Sequence, residues 1–384
     1  MDKQPPLIYL NNAATSWPKP PEVLAEVAAC LRAPVYEAGR TTGTGTTDYP
    51  AATRAALAEF FHAGPPEHFV FSANATDALN LLIHGFAKQN PSPFHVVTTE
   101  LEHNSVLRPL KALEQEGRIA LSIVPFRDGR VDPAVIRNSL RPETRLVVMS
   151  HGSNVLGSVQ EVKPVAEYLA ANDIFFIIDG AQTAGHVPVD CTDITAGAFV
   201  FTGHKALFGI PGIGGFFISD PGAVAITRQG GTGTDSRSPA QPADMPARFE
   251  TGTPNYPGIA SLLAGIRFIR STGMDAIRCR EMALTQQFTR LLKRTRGITL
   301  YNEAPDLPVV AFNIGGIGND EAGFILAKAY NVITRTGLHC APLVHERIDG
   351  GKGCIRASFS FFNTEEEVGA AATAVREVAA GADR

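Results

Sequence analysis

The sequence predicts an α/β fold: a mainly parallel central sheet with helices on both faces, followed by a smaller α+β C-terminal domain. Three observations carry this. First, Ile174–Ile178 and Ala198–Phe201 are short and apolar throughout, the pattern of a parallel strand covered on both faces. Second, such runs alternate with stretches of helical spacing. Third, each run stops abruptly at polar residues. The first ends at Asp179, the second at Thr202, Gly203, His204 and Lys205. In open α/β sheets ligands bind outside the carboxyl ends of the strands.

Size and composition agree with a globular protein of this kind. The chain has 384 residues, enough for one large and one smaller domain. Apolar residues make up 44% and charged residues 19%. A net charge of −4 gives no reason to expect nucleic acid or an anionic membrane as partner. MDKQPPLIYL lacks the apolar core of a signal peptide, and no apolar run reaches transmembrane length. The five cysteines, Cys30, Cys191, Cys279, Cys340 and Cys354, are scattered without a C-x-x-C pair. That spacing argues against a zinc site or disulfide framework and suits a reducing cytoplasm.

The elements follow in order. Ile8–Leu10 is a short apolar run before NNAATSWPKP, and Pro20 and Pro21 open a helix, where proline is tolerated. Glu37–Thr47, EAGRTTGTGTT, is expected to be a loop, and Tyr49–His62 a helix. His68–Ser72 is a strand leading into a helix with apolar spacing at Ala78, Leu81, Leu82 and Phe86. That junction places free N–H groups and a positive helix end at the sheet edge, a ready anion site, although a plain N-cap explains Asn74 equally well. Phe94–Thr98 is a strand ending near Glu102, His103 and Asn104, where a helix starts. Ile119–Val124 and Leu146–Ser150 are strands separated by a helix from about Asp132, and Glu161–Ala171 is a further helix. Arg228–Ala247 is polar, rich in Gly and Pro, and reads as an exposed loop before a helix at Ile259–Ser271. Beyond it, Val309–Ile314 and Val332–Thr334 read as strands and Glu321–Tyr330 as a helix. Arg335, His339 and Cys340 then cluster in a Gly-containing loop, Cys354 and Arg356 share a strand, and FFNTEEEV caps the last helix.

Which chemistry could use a carboxylate, a hydroxyl, an imidazole and an amine at one sheet edge? Lysine amines form Schiff bases with carbonyl compounds, and pyridoxal phosphate (PLP) needs such a lysine plus an acidic partner for its pyridine nitrogen. Asp179 and Lys205 fit those roles, and Thr202 and His204 could donate to a phosphate. The combined stretch DGAQTAGHVPVD … TGHKALFGIPGIGG resembles the class V aminotransferases, and within them the cysteine desulfurase and selenocysteine lyase family. The resemblance runs from NNAATSWPKP to FFNTEEEV.

The resemblance implies a PLP-dependent transferase of fold type I and assigns the site. Lys205 is the Schiff-base lysine, Asp179 binds the pyridine nitrogen, and Gln182 and Asn154 hold the ring's phenolic oxygen. Asn74, Ala75 and Thr76 meet the phosphate at the strand–helix junction, Ala75 through its backbone alone. His103 stacks on the ring and shuttles protons. Gly252 and Thr253, in RFETGTPNYPG, reach the phosphate of a neighbouring subunit's PLP, which implies a homodimer with shared sites. Substrate contacts fall to the first segment, at Asn11 or Asn12 and at Ala13, and to Arg335 and Arg356, the last binding the substrate carboxylate. Cys340, in R-x-G-x-H-C-A, is the thiol that attacks the substrate's sulfur. Relatives often carry a histidine in the region of Glu37–Thr47, and this chain has none.

The implied division is an N-terminal segment over 1–20, a large PLP-binding domain over 21–258 and a small domain over 259–384 that carries Cys340. The implied activity is removal of sulfur from L-cysteine, giving L-alanine and a persulfide on Cys340 that a sulfur-acceptor protein could receive. The alternatives are a selenocysteine lyase or another β-eliminating enzyme, in which Cys340 matters less, and a non-catalytic sulfur-relay scaffold.

Overall fold

The computed structural model describes residues 6–34, 47–193, 197–234 and 237–382. Its strands are β1 (Ile8–Tyr9), β2 (Phe69–Ser72), β3 (Phe94–Thr99), β4 (Ile119–Val124), β5 (Thr144–Ser150), β6 (Phe175–Asp179), β7 (Gly197–Thr202) and β8 (Gly214–Ile218). Then follow β9 (Ile298–Leu300), β10 (Val309–Ile314), β11 (Val332–Ile333), β12 (Arg335–Gly337) and β13 (Cys354–Ser358). Seven strands form the main sheet, in the order β2-β8-β7-β6-β5-β3-β4. All neighbours are parallel except β8, which runs antiparallel to both β2 and β7.

Helices cover both faces of this sheet, as the unbroken apolar runs required. Along β7, Phe199 and Phe201 join one core while Ala198 and Val200 join the other. The first core takes in Leu262 and Ile266 of the helix Tyr256–Thr272, and the second Leu79 and Ile83 of the helix Ala75–Gln89. A third core lies under the four-stranded antiparallel sheet β12-β13-β10-β9, against the helices Met274–Lys293 and Glu365–Ala382. β1 pairs in parallel with β11, and Asn11 bridges to Ser358. The amino-terminal segment is thereby tied to the second half of the chain.

The structure adds and corrects elements. Strand β8 was not expected, because its Gly214 and Gly215 interrupt the strand pattern. The pairing itself demands them: a Cβ on Gly215 would run into the Val70 carbonyl of β2. The long helix Met274–Lys293 and the short strand β9 were also unforeseen. Arg335 is not in a loop. It starts β12, opposite Arg356 of β13, and the turn to Cys340 begins only after Gly337. The Gly/Thr-rich stretch lies, from Glu37 to Thr46, outside the described residues. No described helix is long and apolar enough to cross a membrane.

One contact fixes the Lys205 loop from behind. Helix Tyr256–Thr272 passes so close that a Cβ on Gly265 would strike the Leu207 carbonyl oxygen. Alanine favours an open helix position by about 1 kcal/mol over glycine, whereas overpacking costs about 1–3 kcal/mol. Gly265→Ala should therefore lower the thermal unfolding midpoint, and a raised midpoint would show that the contact is slack.

Candidate active site

Strand register gathers the site. Ser72 and Thr202 both face Gly214 of β8, Ser150 faces Asp179, and Asp179 faces Val200. The carboxyl ends of β2, β5, β6 and β7 thus share one edge. A cleft of about 450 Å³ opens there, closed on its far side by Arg335 and Arg356. Every site residue the resemblance assigned lines this cleft except Asn11, Asn12, Cys340, Gly252 and Thr253.

Lys205 opens onto the cleft, yet protein encloses its amine densely. Burial pushes its pKa down to about 8; Asp179 pulls upward, and Arg356 and Arg335 push further down. Burial raises the pKa of Asp179, countered by the Ala181 N–H donating to Oδ1 at 3.0 Å and by Lys205. The first segment holds the lysine's backbone in place. Ser16 Oγ donates to the Lys205 carbonyl at 2.9 Å, and the Lys19 amine to the His204 carbonyl at 2.9 Å. Neither Ser16 nor Lys19 was singled out from the sequence. Their only signal was the proximity of NNAATSWPKP to the substrate side.

His103 begins the helix Asn104–Gln115, and its Nδ1 accepts from the Ser105 N–H at 3.1 Å. The capping ring therefore also lines the cleft. Burial and the nearby cations Lys205, Arg335 and Arg356 lower its pKa to about 4, so the ring is neutral at physiological pH. With Nδ1 accepting, the hydrogen-bond pattern assigns the ring proton to Nε2. Beside it, Glu102 was missed as a functional residue. It is fully buried and accepts from Thr99 Oγ1 at 2.6 Å and from Ser150 N and Oγ, each at 3.0 Å. Burial raises its pKa to about 8, which keeps the carboxyl protonated near neutrality and spares Asp179 a competing charge.

The donor set fits PLP. Thr202 Oγ1 and His204 Nδ1 are buried and have no protein partner among the described residues, so each has capacity for a ligand's oxygens. Burial, then Lys205 and Lys19, hold His204 neutral with a pKa of about 4. Asn74 caps the helix Ala75–Gln89, accepting from the Asp77 N–H at 3.0 Å, while the first-turn N–H groups of Ala75 and Thr76 lack intrahelical acceptors. Its side chain does the capping that the plain reading expected, which leaves backbone for a phosphate. Gln182 Nε2 donates to the Ala13 carbonyl at 3.2 Å.

The second half of the chain supplies the remaining wall. Arg356 is almost wholly buried, donating to the Asn154 carbonyl at 2.8 Å and to Asn11 Oδ1 at 3.4 Å, while its Nε has no partner among the described residues. Burial, reinforced by Arg335, lowers its pKa to about 10. Two arginines paired across adjacent strands repel, and a carboxylate between them would relieve that. The Asn12 amide donates to the Ser358 carbonyl at 3.0 Å and to Asn363, and accepts from the Trp17 N–H, so it serves the framework. Asn11 is the residue that reaches Arg356.

Cys340 stands just outside the cleft lining, with Arg335 Nη2 3.7 Å from its sulfur. Both His339 and Cys340 adopt left-handed backbone, φ 50° and 58°, a conformation that costs of order 1–3 kcal/mol per residue. Two hydrogen bonds hold the turn there. Asn104 N–H donates to the Cys340 carbonyl at 2.7 Å, and Asn154 Nδ2 to the His339 carbonyl at 2.7 Å. Gly252 and Thr253 are exposed and contribute nothing to this chain's own cleft.

A lysine and an aspartate at the ends of adjacent parallel strands, facing a second sheet that bears paired arginines, define an enzyme that anchors PLP. The comparison with known proteins is more specific. Residues 8–370 match the family Aminotransferase class-V, and the chain belongs to it; its cofactor is PLP. A cysteine desulfurase of Pectobacterium atrosepticum is 32% identical over 373 residues, covering 94% of this chain and 91% of that one. A cysteine desulfurase of Yersinia pestis is 30% identical, with the same coverage. The apo structure of a cysteine desulfurase from Thermococcus onnurineus superposes with a TM-score of 0.89 at 29% identity, covering 98% of this chain and 95% of that one.

Because the Lys205 pKa lies near 8, the unprotonated amine gains population as pH rises through that value. Covalent PLP incorporation into apoenzyme, trapped with borohydride, should accelerate from pH 7 to 9 with an inflection near 8. Asp179→Asn removes the group that raises this pKa and should move the inflection lower. A rate that climbs only towards pH 10.5 would show that the amine is effectively solvated.

Proposed function

We propose that this chain is a PLP-dependent cysteine desulfurase, which takes sulfur from L-cysteine and leaves L-alanine. The observation that carries the reading is the position of Cys340. A strained turn, pinned to Asn104 and Asn154 beside the cleft, holds the thiol next to Arg335. A transaminase has no need of a thiol held at that cost.

The residues divide the work. Arg335 and Arg356 bind the substrate carboxylate, orienting the substrate with its sulfur towards Cys340. PLP, when bound, supplies the electron sink for electrons released at the substrate's carbons. Lys205, Asp179, Thr202, His204 and the Ala75–Thr76 backbone hold it, with Gln182 and Asn154 at its phenolic oxygen. Lys205, with a pKa near 8, takes and returns a proton at the substrate carbon. His103 is neutral and carries its proton on Nε2, so it serves as donor. The Cys340 thiolate attacks the substrate sulfur. The S–S bond forms as the C–S bond breaks, its electron pair stays with carbon, and a proton there completes alanine. A persulfide remains on Cys340.

The reading extends to the assembly. Gly252 and Thr253 are exposed and outside their own cleft, which suits contact with the phosphate site of a second copy in a homodimer. Cys340 is partly exposed, so a sulfur-acceptor protein could collect the persulfide. A thiol that must stay free suits a reducing cytoplasm, and all five cysteines are unpaired.

A panel of L-cysteine and L-selenocysteine, run on wild type and Cys340→Ser, tests this. Alanine formation from cysteine should fall on the order of 10²-fold or more in Cys340→Ser, the scale of losing a nucleophile. Full activity in that variant would replace desulfuration with β-elimination or selenocysteine cleavage. Lys205→Ala should lose the cofactor's visible absorption.

A further inference from the structure

In and behind the Cys340 turn, where His339 also borders the cleft, lies a second polar cluster that the proposed reaction does not use. His339, His345 and Cys354 are each buried to 2% exposure or less. Each offers one ligand atom, and these atoms all lie within 4.8 Å of one another. His339 Nε2 is 3.4 Å from Cys354 Sγ. Metal–nitrogen bonds of about 2.0–2.1 Å and metal–sulfur bonds of about 2.3 Å make a tetrahedral N···S edge of about 3.5 Å. The observed spacing matches that edge.

The surroundings match a metal centre too. His345 Nδ1 is bonded to the Asp349 carboxylate at 2.6 Å, one helical turn on, and both side chains are buried. A carboxylate behind a histidine fixes the ring and its tautomer, as it does for metal-ligating histidines. It directs the basic nitrogen to Nε2. That atom is buried and has no partner among the described residues. Asp349 is itself held by the Lys352 N–H at 2.9 Å. Buried polar atoms without partners are rare and costly, so an orphan ring nitrogen beside a thiol and a second imidazole calls for a ligand.

We propose that His339, His345 and Cys354 form a site for a borderline-soft divalent cation of the zinc class, with water as fourth ligand. On binding, the Cys354 S–H bond breaks, its proton leaves to solvent and the thiolate bonds the metal. Arg335 and Arg356 lie near enough to oppose a cation. The thiolate and the Asp349 carboxylate together offset its two charges. No C-x-x-C spacing marks this site, because it takes only one cysteine. Here β13 supplies the cysteine, and the turn and helix Pro342–Ile348 supply the histidines. The metal would brace the turn that carries Cys340, one residue from His339.

The test uses the PLP-bound enzyme. After loading with zinc chloride and desalting, elemental analysis should find about one zinc per chain. Cobalt(II) in its place should give tetrahedral ligand-field bands in the red, clear of the cofactor's absorption. Cys354→Ala should abolish or shift those bands. Asp349→Asn, which keeps the ligands, should weaken metal affinity roughly 10–100-fold. Retained PLP absorption confirms that each variant folds. Wild type without retained zinc and without cobalt bands overturns the proposal. So do cobalt bands that Cys354→Ala leaves unchanged, since the metal would then lie elsewhere.

Discussion

The whole site depends on an amine and a carboxylate placed where neither is well solvated. Asp179 and Lys205 stand at the ends of neighbouring strands, and desolvation pushes both towards their neutral forms. Their mutual attraction opposes that, and Arg335 and Arg356 tilt the balance back for the lysine. The amine is left near its own pKa at physiological pH, the condition that the proposed roles of nucleophile and then base require. Glu102 contributes by staying protonated behind Ser150. An ionised Glu102 would add a second negative charge close to Asp179.

Such an arrangement is tolerable only in a rigid frame. The parallel strands fix Asp179, the first segment clamps the carbonyls of His204 and Lys205, and Gly265 lets a helix back the loop directly. The second sheet brings the thiol on which the proposed reaction turns. β12 and β13 present the arginines, and the turn after β12 presents Cys340. Since Asn154 bonds the His339 carbonyl, the cofactor's expected partner and the thiol's turn are mechanically joined. A disturbance at either is transmitted to the other over one side chain.

The sequence showed the main sheet well, because strands such as Ile174–Ile178 are buried on both faces and tolerate almost nothing polar. It hid β8, where tertiary closeness demanded glycine and glycine reads as a breaker. The cofactor side of the site was legible because Asp179, Thr202, His204 and Lys205 sit at strand ends close together in sequence. The supporting residues were not. Glu102, Ser16 and Lys19 act through contacts with distant backbone, which no local pattern records. Asn11 and Asn12 could not be told apart until one faced Arg356 and the other the framework. Arg335 was recognisable by its step to Cys340, yet its place on a strand followed only from pairing with Arg356.

The central claim is that one thiol, Cys340, accepts the sulfur of the substrate. Peptide mass spectrometry after a brief single turnover with L-cysteine labelled at sulfur tests it most directly, with alkylation to trap persulfides. The account predicts that the added labelled sulfur atom appears on the peptide containing Cys340 and on none of those containing Cys30, Cys191, Cys279 or Cys354. Labelled sulfur on another cysteine, or alanine formed with no persulfide on the protein, would contradict it.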